Sequence, residues 1–418
     1  MRVCGTLGSR YFPVALVGVV LLLRMSAAAA AAEEKVLFSF QKYPASIPYS
    51  ALVFDAAGNL YATTGFGGLS SCEEGCGTVF KLSPSSSGWD FTVLYEFSGV
   101  PSDGSRPFGQ LVFDAVGNLY GATATGGIAN FGKVFELSPS ADESWTETVV
   151  YKFAGGLDGE GPSASPILDA AGNLYGMTAQ GGSFKHGMVY ELIRQSNGEW
   201  SKKTIYSFTG GTDGSRPLGP LVFDAAGNLY GEASEGGFVA SRSCPSGCGT
   251  VFKLTPIANG EWNLDVLYSF HDTPDGAVPL GGLTFDSAHS LYGVTQGGGS
   301  HSFGTIFRVS PNSDGSWSES VLHTFNGPNG NDAESALLFD GVGNLYGITA
   351  RGGANGNVFE LSRLADGSWV ETVLHAFTGG ADGAEPTDSL IFDSAGNLYA
   401  TASSGGEYGS GVVFEITP

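Results

Sequence analysis

Hydrophobic and polar positions alternate along this chain in short runs, and the runs repeat. The apolar run Leu221–Phe223 ends at Asp224, the chain turns through Gly227 and Asn228, and a second apolar run opens at Leu229 and Tyr230. Runs this short, bounded by Asp, Gly and Asn, predict strand, tight turn, strand. The signature recurs with its Asp at positions 55, 114, 169, 224, 286, 340 and 393, in steps of 59, 55, 55, 62, 54 and 53 residues. Each step holds four strand-like runs. In the fourth copy they are Leu221–Asp224, Leu229–Ser234, Thr250–Thr255 and Trp262–Phe270, named a to d below. No run sustains helical spacing, and Gly, Asn, Ser and Pro fill the connections, so the expected class is all-β.

Seven copies of four antiparallel strands predict a seven-bladed β-propeller. The ends of the pattern choose between a closed ring and an open stack. The last copy stops at Val413–Pro418, in strand c, whereas Lys35–Phe40 carries the pattern of a strand d such as Val266–Phe270. The N-terminal strand is therefore expected to close the ring, residues 36–40 pairing with 412–416; an open solenoid would call for polar caps instead. All six Trp (89, 145, 200, 262, 317 and 369) sit at one repeat position, at the start of strand d. A fixed place on the outermost strand points to packing or edge cover rather than to sugar-stacking platforms.

Length alone would suggest several domains, but the period overrides it, and residues 33–418 read as one propeller. Residues 1–32 stand apart. Arg2 and Arg10, the apolar run Tyr11–Leu23 and the small residues Ala27–Ala32 form an export signal pattern, with cleavage expected near Ala32. Arg24 cuts the apolar run well short of the roughly 20 residues a spanning helix needs. The formal net charge is −22; losing Arg2, Arg10 and Arg24 leaves 16 basic against 41 acidic residues, near −25. That balance excludes nucleic acid and anionic lipid as partners, since both require a basic face. Cys4 lies in the signal, and the remaining cysteines form two Cys-x-x-x-Cys pairs at one repeat position, Cys72/Cys76 and Cys244/Cys248. An even count in an exported chain predicts two local disulfides. A four-thiolate zinc site would need two loops three repeats apart to meet.

The combined pattern, Thr204–Gly231 followed by Gly247–Pro256, resembles the GloVer (Gloeo/Verruco) tandem repeat of bacterial exported proteins, across roughly residues 35–418. The resemblance implies a propeller-like fold and an extracellular setting, without an established activity. With no sorting segment after Pro418, release or loose surface association is the expectation. Copies five and six depart most: Ser287–Ser290 replaces the Gly-Asn turn, and Asn326–Asp332 replaces the Gly-Gly-x-Asp-Gly loop.

Candidate chemistry is sparse. The Asp-x-x-Gly-Asn turn is too short to wrap a calcium ion and reads as a carboxylate capping its own turn. Gly127–Lys133 has phosphate-loop spacing, but Val134 stands where Ser or Thr is required and a strand follows. His323 and His375 occupy the strand d position of Tyr and read as packing substitutions; His186 and His301 lie in b–c loops. Alternating strands place the long b–c and d–a loops at one end of the ring, where binding usually resides. That end holds the Asp-Gly turns of Asp103, Asp158, Asp213, Asp275 and Asp382, which are the candidate ligand residues. Carboxylates converging near the axis would take calcium or a hydroxyl-rich ligand. The expected function is a secreted, monomeric binding or surface-interaction module for an extracellular glycan or protein, with calcium as the conceivable cofactor. The alternatives are an extracellular polysaccharide lyase or glycosidase, which would need a carboxylate pair, and a structural envelope protein.

Overall fold

The repeated Asp builds the turn between strands a and b. Asp224 Oδ1 accepts the N–H groups of Ala226 and Asn228, both at 2.9 Å, while Oδ2 accepts Asn228 Nδ2 at 2.7 Å and the Tyr230 hydroxyl at 3.1 Å. Four donors saturate the carboxylate and lock the two strands in register. The arrangement recurs at Asp55, Asp114, Asp169, Asp340 and Asp393, and at Asp286, where Ser290 replaces Asn and the Tyr292 hydroxyl still donates. These are structural turns, as their length predicts. Burial works against ionisation of Asp224, but the donors outweigh it and hold its carboxyl below the usual range.

The structure is a computed structural model describing Met1 and residues 32–418, apart from 70, 100–102, 128 and 238–243. The expected export signal lies outside the described residues. Seven antiparallel sheets follow one another around the ring. Blade 4 is typical: strand a is Ser215–Phe223, b is Leu229–Glu235, c is Thr250–Pro256 and d is Trp262–Ser269. Strand a begins six residues earlier than the apolar run indicates, because a register shift between Leu218 and Val222 carries the chain through Gly219 and Pro220. Among the described residues no helix is long and apolar enough to cross a membrane.

The ring closes as expected. The N-terminal strand Glu33–Ser39 pairs antiparallel with Val412–Thr417, from Glu33 opposite Thr417 to Ser39 opposite Val412, and supplies strand d of blade 7. Blades 7 and 1 also join at the axis, where Thr387 Oγ1 donates to Pro48 O and Thr401 Oγ1 to Ser50 O, each at 3.2 Å.

The blades hold together through apolar clusters and a backbone latch. Tyr61 of blade 1 packs edge-on against Phe113 of blade 2 at 5.2 Å, with Trp145 at 6.2 Å. Tyr175 and Tyr230 meet the next blade's Phe and Trp in the same way, so these Trp are blade-to-blade packing. At six junctions a left-handed residue at the head of strand a donates its N–H to the preceding blade's b–c loop. Ile47, Arg106, Gly161, Arg216, Val278 and Glu385 donate to Ser410, Cys76, Phe131, His186, Cys248 and Asn355. Only one of the six is glycine, so surrounding contacts impose the conformation. The Pro that follows presses on a Gly of the preceding blade: a Cβ on Gly77 would lie 2.5 Å from Pro107 Cδ, and one on Gly249 2.4 Å from Pro279 Cδ.

The two expected disulfides are present, with Cα separations of 5.3 Å for Cys72–Cys76 and 5.1 Å for Cys244–Cys248. Cys76 and Cys248 are the latch acceptors of their blades. Where copies lack the pair, Phe131, His186 and Asn355 fill the same slot against Gly155, Gly210 and Gly379. His186 is thus a plug at a blade junction.

Candidate functional site

The five Asp-Gly aspartates are held within their own junctions. Asp103 accepts the Tyr95 hydroxyl at 2.7 Å, Ser98 N at 2.5 Å and Ser98 Oγ at 2.6 Å, and pairs with Lys133 at 3.3 Å. Asp158 accepts Tyr151 at 2.6 Å and Ala154 N at 2.8 Å and pairs with Lys202 at 2.7 Å. Asp213 accepts Tyr206, Thr209 N and Thr209 Oγ1; Asp275 accepts Tyr268 at 2.5 Å and His271 N at 3.2 Å. In Asp382, His375 takes the place of Tyr at 3.3 Å, beside Thr378 N at 2.8 Å. Each carboxylate is therefore drawn toward strand d, the outermost strand. Burial opposes ionisation of Asp103, yet the bonds from Ser98 and Tyr95, with Lys133 beyond, hold its carboxyl low. Among the described residues no three His, Cys, Asp or Glu side chains form a group able to hold a metal ion.

Lys133, the last residue of the phosphate-loop lookalike, has a different role. Its side chain is fully buried, its ammonium lying 2.7 Å from Glu147 and 3.3 Å from Asp103. Other copies place Thr78, Met188, Thr250, Thr305, Asn357 or Val412 there. A second buried departure is Glu232 of strand b, whose Oε2 accepts Gly282 N of blade 5 at 2.8 Å while Oε1 has no partner. Burial pushes its carboxyl up to about 8.

What the inner strands bring together is a cavity of about 960 Å³ on the ring axis. Every blade contributes the residue two places after the left-handed one at the head of its strand a: Tyr49, Phe108, Ser163, Leu218, Leu280, Glu334 and Thr387, all of which line the cavity. The flanking frame barely changes. Pro precedes this position in six copies, and Phe-Asp ends the strand in six, whereas the cavity-facing residue takes six identities in seven copies. Hydrogen bonds between neighbouring inner strands fix the wall: Gln110 Nε2 to Leu52 O at 2.8 Å, Thr284 Oγ1 to Leu337 O at 2.5 Å, and Ala336 N to Ser389 Oγ at 3.0 Å.

Three charged side chains line the cavity among the described residues: Arg106, Glu334 and Asp388. The Arg106 guanidinium lies over the Phe66 ring, 5.2 Å from its centroid. Glu334 Oε1 accepts Gln296 Nε2 at 2.5 Å. Its side chain opens onto the cavity, yet the surrounding walls strip water from it, and with Asp332 nearby they raise its carboxyl. Asp388 occupies a position where other copies carry Ser, Gly or Ala, in a left-handed backbone at φ 57°, and burial raises its carboxyl too. Sequence reasoning missed this ring; its signal was one variable position inside an otherwise repeating strand.

No curated protein sequence matches the chain. Among solved structures it is similar to a luciferin-regenerating enzyme, with TM-score 0.46 and 15% identity over 74% of this chain and 90% of that one. It is also similar to a protein from Thermus thermophilus described as an oxidoreductase of glucose dehydrogenase type, with TM-score 0.46 and 14% identity over 92% and 100% of the two chains. Likenesses at this level do not bear on activity. The Gloeobacter/Verrucomicrobia repeat model matches residues 21–241 and 238–418, in line with the resemblance carried by the turn and loop motifs, and the chain belongs to the Gloeobacter/Verrucomicrobia repeat family.

Proposed function

We propose that this protein is an exported binding module whose ligand enters the axial cavity. The observation that carries the reading is the contrast between a frame repeated seven times and a cavity-facing position that differs from copy to copy. A side chain needed for folding would be expected to repeat with its frame, as the turn Asp does. The cavity volume lies within the about 300–1,000 Å³ of small-molecule sites, and a mostly apolar wall with a few convergent polar groups is their usual composition. Two disulfides in so short a loop framework support an oxidising, extracytoplasmic setting, with residues 1–32 as the export signal.

The test is ligand-observed NMR of the intact protein against a panel of apolar acids, short peptides and oligosaccharides, repeated with Leu218→Trp, which fills the cavity from a half-buried wall position. Binding by the parent that the variant loses supports the site. A panel bound equally by both, or by neither, removes it. An extracellular glycosidase or lyase is the second reading, favoured by the two raised carboxyls Glu334 and Asp388 on one cavity. Reducing-sugar release from oligosaccharides, abolished by Glu334→Gln, is the result it requires.

A further inference from the structure

The charges on the cavity wall are separated. Arg106 belongs to blade 2 and Glu334 to blade 6, three steps away by the shorter path, the greatest separation a ring of seven blades allows. Asp388 stands on blade 7, beside Glu334. Arg106 is exposed and, among the described residues, lies within ion-pair distance of no carboxylate, although the chain carries 41 acidic residues against 19 basic ones. Among the described residues Lys133, Lys202, Arg216 and Arg351 each have a carboxylate at 2.7–3.4 Å, whereas Arg106 shares its lack of an ion pair with other cations such as Lys81, Arg194 and Lys253 and differs from them in lining the cavity. Among the described residues Glu334 and Asp388 likewise have no cation at ion-pair distance, their contacts being the Gln296 amide for the one and the backbone N–H groups of Ser389 and Ala51 for the other; Arg351, itself paired with Asp332, acts on Glu334 only from farther away. Between the poles the wall carries Ser163, Leu218 and Leu280 on one side and Tyr49 and Thr387 on the other, with Phe108 on the same strand as Arg106.

We propose that the cavity takes a zwitterion long enough to reach both walls, a short apolar peptide, its carboxylate on Arg106 and its ammonium on Glu334. The assignment rests on the axial cavity being the ligand site. Filling the cavity with a neutral ligand would strip water from Arg106 and Glu334 without giving either a counter-charge, which disfavours neutral occupants. A zwitterion replaces the lost water with a charge-assisted bond at each end, and guanidinium binds carboxylate through paired donors. Its apolar body meets Leu218 and Leu280 on the wall between them and Phe108 beside Arg106. A metal ion fits less well, because a hard cation seeks about six to eight oxygens and the acidic side of this wall supplies two carboxylates from different blades.

Isothermal titration calorimetry of the intact protein tests the assignment with leucine, leucyl-phenylalanine and leucyl-leucyl-phenylalanine, their N-acetyl and C-terminal amide forms, and maltotetraose as a neutral probe. At least one of the two free peptides binds, with leucine, too short to reach both walls, as the control. Acetylation and Glu334→Gln each weaken it by about tenfold or more, equivalent to about 1.4 kcal/mol, and together little further; amidation and Arg106→Gln behave the same way as a pair. Absence of binding by both free peptides, or equal binding by capped and free forms, overturns the assignment. If maltotetraose alone binds and Leu218→Trp abolishes that binding, the cavity remains the ligand site and only its zwitterionic character is lost. If no probe binds, or Leu218→Trp leaves binding intact, both readings fall.

Discussion

If the N-terminal strand is a structural member of blade 7, its buried ring must matter as much as the equivalent ring of an internal blade. Phe40 closes the strand and is fully buried, its ring edge-on to Phe80 at 5.2 Å and to Phe38 at 5.1 Å, and its N–H donates to Gly411 O at 2.9 Å. Phe208, at the same repeat position between blades 3 and 4, is also fully buried, with Phe252 at 5.2 Å and Tyr206 at 5.3 Å. Removing such a ring costs about 3–5 kcal/mol, the transfer term plus the cavity left behind. For a domain of this size, at about 2.1 cal/mol/K per residue, the loss lowers Tm by about 4–6 °C if unfolding is two-state. Phe40→Ala and Phe208→Ala should therefore shift the melting curve equally, by calorimetry or by circular dichroism of matched samples. A terminal strand that merely lies on the ring would fray, and Phe40→Ala would then fall within about 0.5 kcal/mol of the parent. That outcome, with Phe208→Ala showing the full loss, would falsify closure by this strand.

Lys133→Met leaves Asp103 and Glu147 buried without their cation and should cost about 3–5 kcal/mol, while adding Glu147→Leu should restore most of it; a denaturant double-mutant cycle that finds no coupling counts against the buried triad. Glu232 carries a carboxyl raised to about 8 from 4.5. Because the folded state holds that proton more tightly than the unfolded chain, stability should fall as pH climbs from 4.5 to 8, by up to about 1.4 kcal/mol per unit. Glu34 and Glu319, each raised to about 7, add slope of the same sign, so Glu232→Gln should reduce the slope in urea melts at pH 5, 7 and 9 without abolishing it, and an unchanged slope would assign it to those other groups. Peptide mapping without reduction should recover Cys72 linked to Cys76 and Cys244 to Cys248, each worth about 2 kcal/mol by loop entropy; free thiols at these four positions would contradict both. Asp158, Asp213 and Asp382 replaced together by Asn keep turn geometry and lose charge, so calcium or oligosaccharide binding that drops in calorimetry would restore these aspartates as ligand residues.

Much of the frame was legible because it rests on local chemistry. The turn Asp, its Asn and its Tyr lie within six residues of one another, so their spacing is visible in any copy. Strand d was legible from Trp and strand closure from matching the two chain ends. The start of strand a was not, because Gly219-Pro220 interrupts the apolar run where the strand bulges. The orientation of the Asp-Gly aspartates had a signal that is plain in retrospect. Tyr or His stands seven residues before Asp158, Asp213, Asp275 and Asp382, and eight before Asp103. That spacing joins the end of strand d to its own loop, and it draws the carboxylate to the rim of the blade.

The cavity was hidden for the opposite reason. Its wall takes one residue from each copy, some 55 positions apart, and these become neighbours only once seven sheets close into a ring. Within a single copy, Glu334 or Phe108 looks like drift in a repeat. Internal repetition nevertheless supplies a test that a single-copy fold lacks, since each blade is a control for the other six. Lys133, Glu232, Glu334 and Asp388 are all charged residues at positions where most copies carry small, apolar or neutral ones. Burial separates them. Lys133 and Glu232 are sealed between blades, and their contacts belong to packing. Glu334 and Asp388 break the pattern on an open cavity whose wall all seven blades share. Among the described residues neither has a cation at ion-pair distance, and Arg351 reaches Glu334 only through space. The peptide ammonium proposed above would supply that contact, which is why the capped and free peptides decide the reading.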